Sequence, residues 1–122
     1  MRGKMGQPVK TWGGRLYYCE KPALIGGRMC TFEYKLLNYL IQGSAADCTK
    51  QAVINYNATK RDGRFLVTVH DEINISAPKG AIKREMKILK DAMSDVEFDV
   101  PMISDAKTGP TWGELTKFVE VT

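Results

Sequence analysis

The feature that most constrains the fold is a pair of short apolar runs that alternate in hydrophobicity and meet at a polar triplet. Residues 65–69 alternate Phe, Val and Val with Leu and Thr, and residues 73–75 resume the alternation as Ile-Asn-Ile. A period of two residues is typical of β-strands. The sequence therefore predicts a β-hairpin whose tip is the triplet His70, Asp71 and Glu72.

Periodicity elsewhere predicts further short strands. Residues 9–20 contain two candidate strands joined through Gly13-Gly14, since glycine readily adopts the positive φ angles of a hairpin turn. Residues 22–27 have the composition of a loop. Residues 96–103 predict a last strand, which Pro101 restricts to a sheet edge because proline cannot donate a ladder hydrogen bond.

Two helices are expected between these strands. Thr31 is a candidate N-cap for a helix that runs from about residue 32 to 57, and Gly43 within it indicates a bend or a close approach. Residues 80–94 predict an amphipathic surface helix. Five residues of the first helix are expected to share its apolar face: Leu37, Ile41, Ala45, Ala52 and Tyr56. The fold class is therefore α+β, a small antiparallel sheet of about four strands with two main helices on one face.

Length and composition exclude several classes of protein. A chain of 122 residues is predicted to form a single domain, residues 1–122, and 43% apolar with 26% charged residues is typical of globular proteins. No apolar run is long enough to span a membrane, and no secretory signal opens the chain, so a cytoplasmic location is expected. Three cysteines and one histidine, without metal-binding spacing, argue against a disulfide framework and a zinc site.

Positive charge is concentrated near the start of the chain. The formal net charge is +4, whereas residues 1–35 hold seven basic residues against two acidic ones, a net of +5. Such a segment suits contact with a polyanion, because each neutralised phosphate releases counterions. A solvated basic end fits the charge equally well.

Two groups of polar residues are candidates for chemistry. Asp71 and Glu72 stand beside His70 between apolar strands, and carboxylates at a hairpin tip suit a hard divalent cation. An ordinary polar turn is the alternative. Asn38 and Gln42 lie four residues apart, so a helix places both amides on one face, where they can donate to the minor-groove acceptors that all base pairs share. A solvated helix face is the alternative for this pair.

These residues resemble family A DNA polymerases. Residues 37–47, Leu-Asn-Tyr-Leu-Ile-Gln-Gly-Ser-Ala-Ala-Asp, are similar to the family's helix after the fingers, and His70-Asp71-Glu72 is similar to its motif C. Residues 11–18 resemble a strand segment with Gly-Arg, and residues 100–102 and 109–114 resemble the family's extreme C-terminus. The likeness spans nearly the whole chain and has the character of bacteriophage members, which would place the protein in the host cytoplasm.

The resemblance implies the C-terminal part of a polymerase palm and a role for each matching residue. Asp71 would be a catalytic metal ligand for Mg²⁺, with Glu72 as its auxiliary acidic neighbour. His70 would contact the primer terminus. Asn38 and Gln42 would probe the minor groove of newly made base pairs. Arg15 would touch the DNA backbone near the primer strand.

Departures from the family matter equally. Motif A, with the other catalytic aspartate, and motif B, in the fingers, are absent from the sequence, and Tyr34 stands where the family often has arginine. Because two-metal nucleotidyl transfer needs carboxylates from at least two places, activity is expected only in an assembly. The expected partners are primer-template DNA, deoxynucleoside triphosphates and a chain carrying motifs A and B, as in a split polymerase, with no membrane.

Two other hypotheses are weighed against a polymerase component. The first is a non-catalytic DNA-binding accessory module or remnant of such a polymerase, which would bind primer-template without extending the primer. The second is a phosphohydrolase that uses His70-Asp71 as a metal-binding doublet. That class needs further histidines, and His70 is the only one in the sequence.

Overall fold

The computed structural model describes residues 7–119, which contain two main helices and small antiparallel sheets. The predicted α+β class is confirmed. Within these residues the strands pair in four separate two-stranded sheets rather than in one sheet. The chain divides into two compact units, Met1–Cys48 and Thr49–Thr122, and the single domain over residues 1–122 stays a prediction.

Two hairpins form the strands of the first unit. β1 (Val9–Lys10) pairs with β2 (Leu16–Tyr17), as predicted but with shorter strands. β3 (Ala23–Ile25) pairs with β4 (Arg28–Cys30) where a loop was predicted, and that prediction is wrong. Gly26-Gly27 supplies the reason, since φ angles of 59° and 77° make a two-residue turn that matches the twist of the flanking strands.

The long helix α1 (Lys35–Thr59) begins in the first unit and ends in the second. It starts later than expected, so Thr31 is not its N-cap and that prediction is wrong. A tight turn precedes the helix instead, in which the amides of Lys35 and Leu36 donate to the carbonyls of Phe32 and Glu33 at 3.0 and 3.1 Å.

The buried face of α1 is only partly the predicted one. Ala52 and Tyr56 are buried as expected, but Leu37 and Ile41 are 50% and 57% exposed. Gly43 is buried in their place. A Cβ at Gly43 would lie 2.7 Å from the Tyr17 ring, so the glycine allows the close approach expected there. The close approach of β2 at Gly43 therefore determines which face of this part of α1 is buried.

The second unit contains the largest hairpin and the second helix. β5 (Arg64–Val69) pairs with β6 (Glu72–Ser76), and α2 (Ile82–Ser94) follows a short 3-10 turn, Lys79–Ala81. The amphipathic helix predicted over residues 80–94 is confirmed. One core cluster joins α1, β6 and α2 within this unit: Ala52, Tyr56, Ile73, Met86, Leu89 and Ala92.

The strand predicted over residues 96–103 is wrong, because that segment has no regular structure. The missing N–H of Pro101 and the exposure of Val100 and Ile103, at 60% and 89%, give it neither ladder bonds nor a buried face. The last strands are β7 (Lys107–Thr108) and β8 (Thr116–Lys117), which pair around a 3-10 turn. No helix in residues 7–119 is long and apolar enough to cross a membrane.

A fully buried carboxylate of α2, that of Glu85, hydrogen-bonds to α1 and to the turn before β5. Glu85 accepts a hydrogen bond from the Tyr56 hydroxyl at 3.0 Å and from the amides of Arg61 and Asp62 at 3.2 and 2.9 Å. Burial, together with the bond to Glu85, raises the pKa of Tyr56. Gly63 packs directly on this pair of side chains. The turn before β5 is therefore held by one acid of α2.

Candidate active site and nucleic-acid interface

The predicted hairpin tip is confirmed in its position. Val69 pairs with Glu72, so His70 and Asp71 are the two turn residues and Glu72 is the first residue of β6. His70 has a φ of 55°, a left-handed conformation that few residues other than glycine adopt. All three side chains are exposed. The turn therefore presents two consecutive carboxylates to solvent.

A groove of about 720 Å³ runs beside these carboxylates within the second unit. Asp71 and Glu72 are among its lining residues, and Asp105 and Lys107 contribute from the segment after α2. Within residues 7–119, no three side chains of the metal-binding types converge on one point. The two tip carboxylates fit Mg²⁺ as part of a site, since this ion is usually held by one or two carboxylates together with water and substrate phosphates.

The amide pair lies in the first unit. Asn38 and Gln42 are both exposed on α1, one turn apart on the same face. Asp47 is nine residues beyond Asn38, about two and a half turns, so it lies on the opposite face of the helix. The amides are thus directed away from whatever Asp47 binds.

Asp47 binds the β1–β2 hairpin. Its Oδ2 accepts a hydrogen bond from the Gly13 amide at 3.0 Å and another from the Thr11 hydroxyl, and Thr11 is buried. One turn earlier, the Ser44 hydroxyl accepts from the Trp12 amide at 3.0 Å. The stretch Gln-Gly-Ser-Ala-Ala-Asp therefore has a second use, because its glycine, serine and aspartate dock a hairpin.

Sequence reasoning missed this docking of the β1–β2 hairpin on α1. A local signal does exist. Gly43 and Asp47 are four residues apart, so a helix places them on the same face. The glycine admits a close approach there, and the aspartate is the only acid of α1. The hydrogen-bond partners of Asp47, Thr11 and Gly13, lie more than 30 residues away in the sequence.

Arg15 lies on the docking side of α1. Its Nε is 3.5 Å from Asp47 Oδ1, and its side chain is 46% exposed. The structure therefore does not bring Arg15 to the face that carries Asn38 and Gln42. Its contact with the DNA backbone stays a prediction.

Replacing Asp47 with alanine should destabilise the first unit by about 2 kcal/mol, because the buried Thr11 hydroxyl and the Gly13 amide lose their acceptor. Asp47→Asn keeps one acceptor oxygen and should lose less. Trp12 is the only tryptophan of residues 1–48, so its fluorescence during urea unfolding, in a Trp112→Phe background, reports on this unit.

The matched control for Asp47→Ala is Asp99→Ala, which removes the same charge from an exposed position in the second unit. It should leave the Trp12 transition unchanged. Equal midpoints for the Asp47 and Asp99 variants would contradict the docking role of Asp47.

Comparisons with known proteins identify a family for this chain. Residues 3–114 match the family model for DNA polymerase family A. The chain is 34% identical over 120 residues to DNA polymerase I of Chloroflexus aurantiacus, covering 93% of this chain and 13% of that protein. It is 39% identical over 85 residues to DNA polymerase I of Geobacillus stearothermophilus, covering 66% of this chain and 10% of that protein.

A more distant relative comes from an animal. DNA polymerase theta of Caenorhabditis elegans is 27% identical over 114 residues, covering 89% of this chain and 7% of that protein. The chain thus spans about a tenth of the length of the curated relatives it matches. Because the family model covers most of the chain, the chain belongs to DNA polymerase family A.

Proposed function

We propose that the chain supplies part of the active site of a DNA-directed DNA polymerase, which joins deoxynucleotides to a primer under the direction of a template. The observation that carries this proposal is the exposed pair Asp71 and Glu72 at the tip of the β5–β6 hairpin. The pair resembles the family's motif C, and the chain matches the family over residues 3–114.

Asp71 is the proposed metal ligand and Glu72 its auxiliary acid. A bound Mg²⁺ would stabilise negative charge on the reacting phosphate and activate the primer hydroxyl. Asp71 would hold that ion from the turn, where its side chain is exposed. His70, its neighbour in the turn, would contact the primer terminus.

A two-metal site needs a further carboxylate, which we assign to a partner chain carrying motifs A and B. The β5–β6 sheet has only two strands among the described residues, so each strand has an unpaired edge. Phe65, Leu66 and Val67 of β5 are 37%, 55% and 40% exposed. Unpaired strand edges and exposed apolar side chains favour association with another polypeptide segment.

Asn38 and Gln42 are the proposed minor-groove contacts to newly made base pairs. Their exposure on one face of α1 supports this role, because each amide can donate to purine N3 or pyrimidine O2 whatever the sequence. Arg15 is the proposed contact to the DNA backbone, through the exposed part of its side chain.

Alanine at Asn38 or Gln42 should weaken binding to primer-template DNA by about 3- to 10-fold, which corresponds to the loss of one hydrogen bond. The loss should be similar for different DNA sequences, because the contacted acceptors are common to all base pairs. Fluorescence anisotropy with two labelled primer-templates of unrelated sequence measures it.

Asn57→Ala is the matched control for these variants, since Asn57 is an exposed amide in the second half of α1. Its affinity should equal that of the unaltered chain. A loss confined to one DNA sequence would contradict the proposed contact.

Primer extension tests the proposed function. The chain alone, a companion chain bearing motifs A and B alone, and their mixture are each given Mg²⁺, deoxynucleoside triphosphates and primer-template. Extension is expected only in the mixture. As a second arm, this chain replaces the matching segment of Chloroflexus aurantiacus DNA polymerase I. If neither arm extends the primer while the chain still binds primer-template, a non-catalytic DNA-binding module is the better description.

A further inference from the structure

We infer that the outer face of the β1–β2 hairpin, the face turned away from α1, binds single-stranded DNA. The surface consists of Lys10, Leu16 and Tyr18, and Lys21 follows Tyr18 along the chain by three residues. The choice of DNA as its ligand rests on the proposed function, in which an unpaired template strand must lead into the duplex.

The two faces of the hairpin follow from its register. Val9 pairs with Tyr17, and Lys10 pairs with Leu16. The Tyr17 ring stacks on Tyr39 of α1 with centroids 5.6 Å apart, so the Val9 and Tyr17 side faces the helix. Since side chains alternate along a strand, Lys10 and Leu16 are directed outward.

Exposed apolar surface lies on this outward side. Leu16 is 49% exposed, and Tyr18, which directly follows β2, is 65% exposed. Trp12, in the turn, is 40% exposed. An exposed aromatic ring on a strand is a stacking platform for an unpaired base, because every base offers a π face.

Basic residues lie near these aromatic residues in the sequence. Residues 7–30 hold four basic residues and one acid, Glu20, and one of the four basic residues, Arg15, is paired with Asp47. Glu20 is engaged on α1, where it accepts a hydrogen bond from Tyr39 and lies 3.7 Å from the ammonium group of Lys35. Lys10 and Lys21 are exposed. The charge thus complements phosphate, and the combination of cations with stacking rings is the one that single-strand binding uses.

The placement of the amide pair decides between single-stranded and duplex DNA. Asn38 and Gln42 lie on the face of α1 opposite Asp47, and Asp47 holds the hairpin. A duplex read by the amides therefore lies on the other side of the helix from the hairpin. A flexible unpaired strand can bend to the outer face of the hairpin, whereas a stiff duplex cannot reach both surfaces.

The test is fluorescence anisotropy of the full chain with a labelled oligothymidine of about 12 nucleotides and with a blunt duplex of equal length. Tyr18→Ala should weaken single-strand binding by about 5- to 100-fold and leave duplex binding unchanged. Tyr18→Phe should bind like the unaltered chain, because it keeps the ring. Lys10→Ala and Lys21→Ala should each reduce the slope of log affinity against log salt by about 0.7.

Trp112→Ala is the matched control, since Trp112 is an aromatic residue of the second unit with 62% exposure. It should have no effect on single-strand binding. The inference is overturned if the unaltered chain does not bind the oligothymidine, if Tyr18→Ala binds as well as Tyr18→Phe, or if the Trp112 variant loses as much affinity.

The outcomes also separate this inference from the proposed function. Tyr18-dependent single-strand binding without primer extension in the mixture would support the inference and count against the polymerase role. Primer extension with unchanged single-strand binding by Tyr18→Ala would support the polymerase role and overturn the inference.

Discussion

Asp71→Ala is expected to slow primer extension by the assembled polymerase by about a thousandfold or more. A metal ion contributes several kcal/mol of transition-state charge stabilisation, and each 1.4 kcal/mol corresponds to about a factor of ten in rate. The loss should arise from chemistry rather than misfolding. Asp71 is exposed, and the positive φ of the turn belongs to His70, so alanine fits the backbone at position 71.

Two further variants sharpen this prediction. Glu72→Ala should reduce the single-turnover rate less than Asp71→Ala does, because Glu72 is the auxiliary acid. Asp105→Ala removes an equal charge from the lining of the same groove and should leave the rate nearly unchanged. An Asp71→Ala mixture that keeps a tenth of the rate, or an Asp105→Ala mixture that loses as much, would contradict the assignment.

Gly63→Ala is expected to destabilise the second unit by about 3 kcal/mol or more. A Cβ at Gly63 would overlap the Tyr56 hydroxyl and lie 2.5 Å from Glu85 Oε2, and both of those side chains are fully buried. The added methyl group must separate the pair, which combines overpacking with the loss of a buried hydrogen bond. Urea unfolding followed by Trp112 fluorescence, in a Trp12→Phe background, measures the loss.

Gly80→Ala is the control for this substitution. A Cβ at Gly80 meets no atom within 4 Å, and the residue has no positive φ. Its stability should be unchanged or slightly higher, because alanine lowers the entropy of the unfolded chain. If both glycine variants unfold at the same urea concentration, Gly63 is not required for the packing of Tyr56 and Glu85.

The sequence predicted those elements whose patterns are strong and local. The alternation on both sides of His70-Asp71-Glu72 placed the tip of the β5–β6 hairpin, because a two-residue period leaves few other structures. The spacing of Met86 and Leu89 placed α2 for a similar reason, since both are buried on one face. Each of these patterns lies within a few residues of the feature it predicted.

Errors arose where a distant contact overrides the local pattern, and where a glycine is compatible with more than one local structure. Leu37 and Ile41 look like the buried face of α1, but the hairpin approaches at Gly43 and leaves both residues exposed. Residues 22–27 look like a loop, but Gly26-Gly27 turns the chain into β3 and β4. Glycine is ambiguous in a sequence, because the same residue permits a loop, a tight turn or a close approach.

For the candidate site too, the features with a local pattern were predicted and those that depend on distant contacts were not. Motif spacing indicated Asp71, Asn38 and Gln42, and the structure finds all three exposed. The partners of Asp47 could not be predicted from spacing, since Thr11 and Gly13 reach it across more than 30 residues. Hydrogen bonds of that range follow from the tertiary fold and have no local period.

The most direct measurement is metal-dependent primer extension by an Asp71→Cys variant in the assembled polymerase, compared with Asp71→Ala. A thiolate binds Mg²⁺ poorly and accepts a softer ion such as Mn²⁺ more readily. The cysteine variant should therefore be inactive in Mg²⁺ and regain extension in Mn²⁺, while the alanine variant stays inactive in both. Equal rates for the two variants in both metals would contradict the role of Asp71 as a metal ligand.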